Sequence, residues 1–134
     1  MATRTAAQQR ADAKLAYDAY VAECPTRQLL DRISDKWVSL LINALAEQPQ
    51  RYGDLSRRVA GISQKMLTQT LRAMERDGLV SRTVTLAVPV RVEYALTPLG
   101  RGLLPVMRAI MSWAEANMDE VLAARSDYDS ANGT

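Results

Sequence analysis

The sequence contains no histidine and a single cysteine, Cys24. Histidine is the commonest general base and metal ligand, and one thiol forms neither an internal disulfide nor a thiolate metal cluster. The sequence also has no glycine-rich phosphate loop, no nucleophile placed beside a base and no pair of carboxylates at a recognisable spacing. These absences argue against an enzyme and predict a protein without catalytic residues, metal or cofactor.

Long apolar runs are missing as well. No stretch is long enough to span a bilayer, and the first residues, MATRTAAQQRADAK, have no apolar signal-peptide core. We therefore expect a cytoplasmic protein that makes no membrane contact. The composition still suffices for a core, because 134 residues of which 48% are hydrophobic predict one globular domain with flanking helices.

Charge is distributed unevenly along the chain. The formal net charge is only +2, but residues 51–91 carry eight cations and three anions. The first fifty residues are balanced, and residues 92–134 carry three cations and six anions. A positive field concentrated in one segment favours a polyanionic partner.

One stretch of the positive segment, residues 62–78, reads ISQKMLTQTLRAMERDG and predicts a helix. Ser63 can cap its first turn with the side-chain hydroxyl, and Gly78 can end it in a left-handed conformation. At 3.6 residues per turn, one side of the helix is apolar and the other is polar. The apolar side comprises Leu67, Thr70, Leu71 and Met74, and the polar side comprises Gln64, Lys65, Thr68, Gln69, Arg72 and Arg76. The polar side suits base edges in a major groove, although a solvated surface helix is the alternative.

Two further helices are predicted within the first fifty residues. Residues 6–23 form an Ala-rich helix with a thin apolar stripe, which needs another surface such as a partner subunit. Cys24-Pro25 ends that helix. Residues 27–47 form one core helix with a broad stripe, which ends before Pro49. The broad stripe consists of Leu29, Leu30, Ile33, Trp37, Leu40, Leu41, Ala44 and Leu45.

Residues 52–60, YGDLSRRVA, predict a short helix with Asp54 as its cap. A short helix, a turn at Gly61 and a longer helix form a helix-turn-helix. Five apolar side chains should fix the crossing angle of the two helices, namely Leu55, Val59, Ile62, Leu67 and Leu71. Arg57 and Arg58 should then face outward.

The hydrophobic period changes from helical to alternating after Gly78. Residues 79–86 and 91–97 predict two strands, with Val92, Tyr94 and Leu96 on one face, joined by the apolar tip AVPV. A β-hairpin that follows a recognition helix is a wing. Arg82 and Arg91 on this wing can reach phosphate or the minor groove.

The last helix should start at Thr97-Pro98, with a kink at Pro105. Its apolar side chains form a narrow seam, which is typical of a helix that packs on a partner helix. The seam consists of Leu99, Leu103, Val106, Ile110, Trp113, Asn117 and Val121. The final residues, SDYDSANGT, are expected to be disordered.

Taken together, residues 24–113 resemble the HxlR family of bacterial winged helix-turn-helix transcription regulators, relatives of the MarR-like superfamily. The motifs that carry the resemblance are, in chain order, Cys24-Pro25, Asp35-Lys36-Trp37, RYGDLSRRVAGISQKMLTQTLRAMERDGLVSR from Arg51, VEYALTPLG from Val92, and Trp113. Two features depart from the family pattern. Ser34-Asp35 replaces the usual Gly-rich approach to Lys-Trp, and the wing tip carries no extra charge.

The resemblance implies a mainly α fold with a small β-hairpin (α+β), in four segments. These are an N-terminal arm and dimerisation helix (1–23), the winged helix-turn-helix DNA-binding domain (24–97), a C-terminal dimerisation helix (98–125) and the disordered tail (126–134). It also implies a homodimer that binds double-stranded DNA at a roughly palindromic operator, with one recognition helix in each of two successive major grooves. Repression is the commoner outcome in this family, and some members activate.

The resemblance and the polar side of the helix together assign the DNA contacts. The candidates for base contacts are Lys65, Thr68, Gln69 and Arg72. The candidates for phosphate or minor-groove contacts are Arg57, Arg58, Ser63, Gln64, Arg82 and Arg91. Because a dimer doubles the phosphate contacts, its affinity should fall steeply with salt.

Cys24 has two interpretations. Some members of the family sense oxidants or electrophiles through a cysteine at this N-terminal position, and a thiol beside a helix start can have a lowered pKa. The alternative is a buried structural thiol, which is the default for a free cysteine. If Cys24 is reactive, its disulfide must join two subunits or a small thiol.

Two other functions stay open at the level of sequence. A small hydrophobic ligand could induce the regulator by entering a cavity near the dimer helices, lined by Trp37, Met107, Met111 and Trp113, although core packing is the simpler explanation of those side chains. A winged-helix module can also serve protein interaction, with the apolar wing tip as the contact. Weak, salt-insensitive DNA binding would favour that second function.

Overall fold

The computed structural model describes residues 3–133, which form seven helices and a small three-stranded sheet. The helices are α1 (Ala6–Glu23), α2 (Pro25–Ile33), α3 (Lys36–Ala44), α4 (Tyr52–Arg58), α5 (Gln64–Arg76), α6 (Pro98–Arg101) and α7 (Leu104–Ala131). The strands are β1 (Gln50–Arg51), β2 (Val80–Thr85) and β3 (Arg91–Leu96). The mainly helical fold class with a β-hairpin is confirmed.

Helix α5 begins and ends where the sequence predicts. Ser63 is its N-cap, and the Ser63 hydroxyl oxygen accepts a hydrogen bond from the Met66 amide at 3.1 Å. Gly78 follows the helix with a φ of +77°, a conformation that glycine adopts without steric cost. All four side chains of the predicted apolar side are buried.

The single core helix predicted over residues 27–47 is wrong. The structure breaks it into α2 and α3 at Ser34 and Asp35, because the Asp35 carboxylate accepts a hydrogen bond from the Trp37 amide at 2.8 Å and starts a new helix. The break divides the predicted stripe. Ile33, Leu41 and Leu45 are buried, whereas other members, Leu29, Leu30 and Leu40, are exposed.

The sheet has one strand more than the predicted hairpin. Its order is β1-β3-β2, and all neighbours are antiparallel. In β1, Gln50 pairs with Tyr94 and Arg51 pairs with Glu93. This short strand ties the start of α4 to the wing, so the helix-turn-helix and the wing share one framework.

The core lies between α3, α5 and the inner face of the sheet. Its most deeply buried side chains are Val38, Leu41, Ile42, Leu45, Leu55, Leu67, Leu71 and Met74. The five residues predicted to fix the two helices of the helix-turn-helix are confirmed as part of this core or packed against it. The core therefore holds α5 by its apolar side and leaves the polar side outward.

The C-terminal segment differs from the sequence expectation in two ways. Thr97 caps the short helix α6 through a hydrogen bond from the Gly100 amide, and α7 starts separately, with Pro105 in its first turn rather than at a kink. The tail predicted to be disordered, residues 126–134, is helical as far as Ala131. No glycine or proline interrupts the chain between Pro105 and Gly133, so nothing stops the helix earlier.

The two terminal helices are weakly covered. No residue of α1 is buried, and only Leu104 and Met107 of the long helix α7 are buried. The predicted seam of α7 is largely open, with Ile110 at 51% and Trp113 at 59% exposure. No helix within residues 3–133 is long and apolar enough to cross a membrane.

Candidate nucleic-acid interface

The polar side of α5 is the main feature of the candidate interface. It follows the turn at Gly61, whose φ of +89° favours glycine, and the cap at Ser63. Five of its polar side chains are exposed, namely Ser63, Gln64, Lys65, Gln69 and Arg72. Thr68, which lies between them, is half-buried. The first turns of the helix therefore present amide, ammonium and guanidinium groups together, a set that can hydrogen-bond base edges.

Tyr52 joins the first helix of the helix-turn-helix to the second. It is the first residue of α4, and its hydroxyl lies 3.0 Å from the Gln64 carbonyl oxygen and 3.0 Å from the Thr68 hydroxyl oxygen. Both partners belong to the N-terminal half of α5. These contacts fix how the start of the recognition helix sits on α4.

The predicted phosphate contacts on α4 are exposed but already have partners. Arg57 forms an ion pair with Asp54. The prediction that Asp54 caps α4 is wrong, because Arg51 is the N-cap and Asp54 lies within the first turn. Arg58 donates to the Ala44 carbonyl oxygen at 3.4 Å. Both guanidinium groups are thus held close to the helix-turn-helix, with nitrogen atoms left over for phosphate because guanidinium has five donors.

The wing places its cations beside an apolar tip. Arg82 and Arg91 are exposed on β2 and β3, and the tip side chains Leu86, Val88 and Val90 are exposed as well. A cleft of about 270 Å³ separates the tip from the start of α4. It is lined by Arg51, Tyr52, Gly53, Pro89, Val90, Arg91 and Val92. Arg51 thus joins Arg91 as a cation near the wing.

Cys24 lies between α1 and α2 and is partly exposed. Backbone amides of Arg27 and Thr26, at the start of α2, lower the pKa of the Cys24 thiol below its usual range, although the sulfur makes no capping hydrogen bond in this structure. Amides and the positive end of a helix favour the thiolate over the thiol. The thiol is therefore not the fully buried group that the structural interpretation of Cys24 assumed, and its role as a sensor stays a prediction.

The four residues predicted to line a ligand cavity do not enclose one within a single chain. Met107 is part of the core at 3% exposure, whereas Met111 and Trp113 are exposed at 44% and 59%. Trp37 is half-buried, with the Lys36 ammonium 4.6 Å from its ring centre. Trp37 lies on α3 and the other three residues lie on α7, where Met107 faces the core and Met111 and Trp113 face outward.

A larger cleft, of about 630 Å³, opens elsewhere, between α2 and the end of α5. Its walls are Gln28, Leu29, Asp31, Arg32, Asp77, Leu79, Leu99, Gly102 and Leu103. Arg32 of α2 forms an ion pair with Asp77, the C-cap of α5, across this cleft. The helix that follows Cys24 is thereby linked to the end of the recognition helix.

Sequence reasoning missed Tyr52, Arg51 and the Arg32–Asp77 ion pair. Each depends on a contact between distant parts of the chain, such as residues 32 and 77, which no local period reveals. The only available signal was the position of Tyr52 and Arg51 at the start of the predicted short helix. Within residues 3–133, no three histidine, cysteine, aspartate or glutamate side chains lie together in a way that could hold a metal ion.

Comparisons with known proteins agree with this geometry. Residues 32–122 match the HxlR-like helix-turn-helix family. The HTH-type transcriptional regulator YtfH of Escherichia coli (strain K12) is 41% identical over 108 residues, which are 81% of this chain and 86% of YtfH. The solved structure of YtfH from Salmonella typhimurium has 40% identity and a TM-score of 0.68, covering 78% of this chain and 94% of that one. The solved structure of the redox regulator HypR in its reduced form has 37% identity and a TM-score of 0.70, and the match covers 75% of this chain and 99% of HypR.

The recognition helix α5 packs one side into the core, presents a polar side outward and is followed by a β-hairpin wing. These features define a winged helix-turn-helix DNA-binding protein. The chain belongs to the HxlR-like helix-turn-helix family and is a DNA-binding transcriptional regulator. Its family and relatives are regulators rather than enzymes.

Proposed function

We propose that this regulator acts as a homodimer that occupies a roughly palindromic operator in the cytoplasm and represses the promoter it covers. The observation that carries the proposal is the exposed polar side of α5, where Lys65, Gln69 and Arg72 follow one another at intervals of four and three residues from the N-terminal end. Recognition helices read bases with this part of the helix. Arg57, Arg58, Arg82 and Arg91 flank it as phosphate contacts.

The open terminal helices support the dimer. Exposed apolar side chains occur on α1, including Leu15, Tyr17 and Tyr20, and along α7, including Ile110 and Trp113. An isolated helix with a thin apolar stripe gains its stability from a second surface. A partner subunit that covers α1 and α7 supplies that surface and places two recognition helices on one duplex.

The affinity for DNA should fall steeply with salt. Four proposed phosphate contacts in each subunit make eight in the dimer, so the slope of log K against log salt concentration can reach about −7. Fluorescence anisotropy of the protein on duplex from its own upstream region, over a series of salt concentrations, measures this slope. A scrambled duplex of equal length is the control for sequence preference.

The same titration separates DNA recognition from protein interaction through the exposed wing tip. A slope near zero with equal, weak binding to both duplexes would contradict the operator proposal and favour a protein partner. A steep slope with a preference for the upstream duplex supports the operator proposal. Analytical ultracentrifugation of the protein and of its complex tests the dimer separately.

We further propose that Cys24 makes this regulator responsive to oxidants or electrophiles. The lowered pKa of its thiol increases the thiolate population, and the partial exposure of the residue admits a reagent. The structural neighbour HypR is described as a redox regulator, with reduced and oxidised forms. In this chain a modified Cys24 would disturb the start of α2, and the Arg32–Asp77 ion pair would pass that change to the end of α5.

Oxidation of Cys24 should release the DNA. Diamide with glutathione converts the thiol to a mixed disulfide, and we expect the affinity for the operator to fall about 5- to 150-fold, the usual range of coupling between two sites. Anisotropy before and after treatment measures the change. Dithiothreitol should restore binding, since it reduces the disulfide.

Cys24→Ser is the matched control for that experiment, and its operator affinity should not respond to diamide. The pH dependence of alkylation by iodoacetamide provides an independent check. Because the folded-state pKa is lowered, the native thiol should keep reacting at pH values where the thiol of the denatured chain is already protonated. Oxidation without any change in DNA binding would contradict the sensor proposal while leaving the operator proposal intact.

A further inference from the structure

The hydroxyl group of Tyr52 determines what Thr68 can offer to DNA. A tyrosine hydroxyl has one hydrogen, and the Tyr52 oxygen lies 3.0 Å from both the Gln64 carbonyl oxygen and the Thr68 hydroxyl oxygen. The Gln64 carbonyl can only accept, so Tyr52 donates its hydrogen there. The Thr68 hydroxyl must then donate its own hydrogen to Tyr52.

Thr68 consequently has no donor left for a base. The hydroxyl and the methyl group are both bonded to Cβ and occupy different staggered positions. When the hydroxyl turns towards Tyr52, the methyl group therefore points away from the Tyr52 oxygen. A helical threonine has two accessible χ1 rotamers, and the hydrogen bond to Tyr52 selects the one that turns the hydroxyl towards Tyr52. Thr68 is half-buried, which agrees with the contact between its hydroxyl group and Tyr52.

The neighbours of Thr68 have the opposite character. Lys65, Gln69 and Arg72 on the same face of α5 are exposed and carry polar ends. Thr68 is therefore the apolar contact within a polar reading face. The one apolar group that a base pair presents in the major groove is the C5 methyl of thymine.

We propose that Thr68 reads the C5 methyl group of a thymine in each half-site, and that Tyr52 is the positioning residue that keeps the Thr68 methyl available for this contact. The inference rests on the proposed operator binding and specifies one base of that operator. Tyr52 itself touches no base in this arrangement, because its hydroxyl is used by α5.

The test removes only the methyl group from DNA. A preferred duplex is first selected from a random pool with the wild-type protein, and each thymine of a half-site is then replaced by deoxyuracil, one at a time, in both half-sites. We expect one thymine whose replacement weakens binding about fourfold per half-site, the effect of one methyl-sized apolar contact. The ratio of the affinities for the thymine and the uracil duplex is the readout.

Substitutions at Thr68 separate the methyl group from the hydroxyl. Thr68→Ser keeps a hydroxyl for Tyr52 and lacks the methyl, so the ratio should fall to about one. Thr68→Val keeps a methyl and lacks the hydroxyl, so the ratio should persist whatever the absolute affinity. Together the two variants and the two duplexes form a double-mutant cycle between the protein methyl and the base methyl.

Tyr52→Phe tests the positioning role. It releases the Thr68 hydroxyl to rotate and to bond elsewhere, so the thymine-to-uracil ratio should fall to about one. The lost hydrogen bonds should lower the melting temperature only by the few degrees that about 1 kcal/mol produces, and the affinity for scrambled DNA should fall less than the ratio does. A merely structural role of Tyr52 would move those two quantities and leave the ratio unchanged. Combining Tyr52→Phe with Thr68→Val should restore the ratio, because no hydroxyl remains to compete.

The outcomes distinguish this inference from the operator proposal. If the wild-type selection yields no preferred sequence, operator binding itself fails and the inference fails with it. If a sequence is preferred but it contains no thymine whose methyl matters, only the thymine contact is overturned. The thymine contact is also overturned if Thr68→Ser keeps the ratio or if Thr68→Val loses it. A ratio unchanged in Tyr52→Phe overturns the role of Tyr52.

Discussion

Replacing Arg72 with alanine is expected to weaken binding to the operator at least about 30-fold. An arginine that reads a guanine through two hydrogen bonds contributes about 1 to 3 kcal/mol, and a homodimer loses two such contacts, so the total is about 2 to 6 kcal/mol. Arg72 lies exposed in the third turn of α5 and makes no ion pair within residues 3–133. Its removal should leave the melting temperature nearly unchanged, because the side chain lies outside the core.

The control for Arg72→Ala is Arg76→Ala. This variant removes the same charge from the same helix, but Arg76 is the last residue of α5 and lies one turn further than Arg72 from the N-terminal end of the helix. We expect its loss to weaken binding only slightly. Anisotropy on the operator and on a scrambled duplex measures both variants. Equal losses on the two duplexes for Arg72→Ala would show that Arg72 contacts phosphate only, and a loss of folding would show a structural role.

Gly100→Ala is expected to destabilise the protein by about 3 kcal/mol or more, because a methyl group at this buried position overlaps the Leu79 backbone. A Cβ at Gly100 would lie 3.0 Å from the Leu79 carbonyl carbon and closer still to its oxygen. That oxygen accepts a hydrogen bond from the Thr97 amide at 3.1 Å, which joins the N-cap of α6 to the residue before β2. Neither backbone segment can yield without breaking this joint.

Thermal unfolding measures this effect, and we expect a melting temperature lower by about 10 °C or more. Gly53→Ala is the matched control, because a Cβ at Gly53 meets only the end of the Arg57 side chain, at 3.6 Å, and alanine is the better helix former within α4. Its stability should equal or slightly exceed that of the wild type. A Gly100→Ala protein as stable as Gly53→Ala would show that α6 shifts freely on Leu79, against the close packing described above.

The helix-turn-helix and the wing could be predicted from sequence because their signals are local. Ser63 and Gly78 mark the two ends of α5 by cap and turn chemistry, and the 3.6-residue period assigns Leu67 and Leu71 to the buried side. The alternation of β-branched and polar residues likewise locates both strands of the hairpin. The residues on the outer side of α5 follow from the same period, so the candidate reading face was predicted together with the helix.

Errors occurred where a local signal had two interpretations. A helical stripe runs unbroken from α2 into α3 in sequence, and only the choice of Asp35 as a cap divides it. A polar, charged C-terminus is typical of disorder, but a helix continues through such residues when no glycine or proline stops it. The ligand cavity of Met and Trp side chains near the dimer helices stays a prediction, since a shared period does not place two helices against each other.

The sequence by itself determined the fold class, the recognition helix, its outward-facing side chains and the family, because helix caps, periods and turn residues act within a few positions of the chain. Only the tertiary structure decided how those side chains are held. It joined Tyr52 to Thr68, Arg32 to Asp77 and Gly100 to the Leu79 backbone, and it left the Cys24 thiol open at the start of a helix. Hydrogen bonds and van der Waals contacts extend only a few ångströms in space, so residues far apart along the chain meet only once the core has formed.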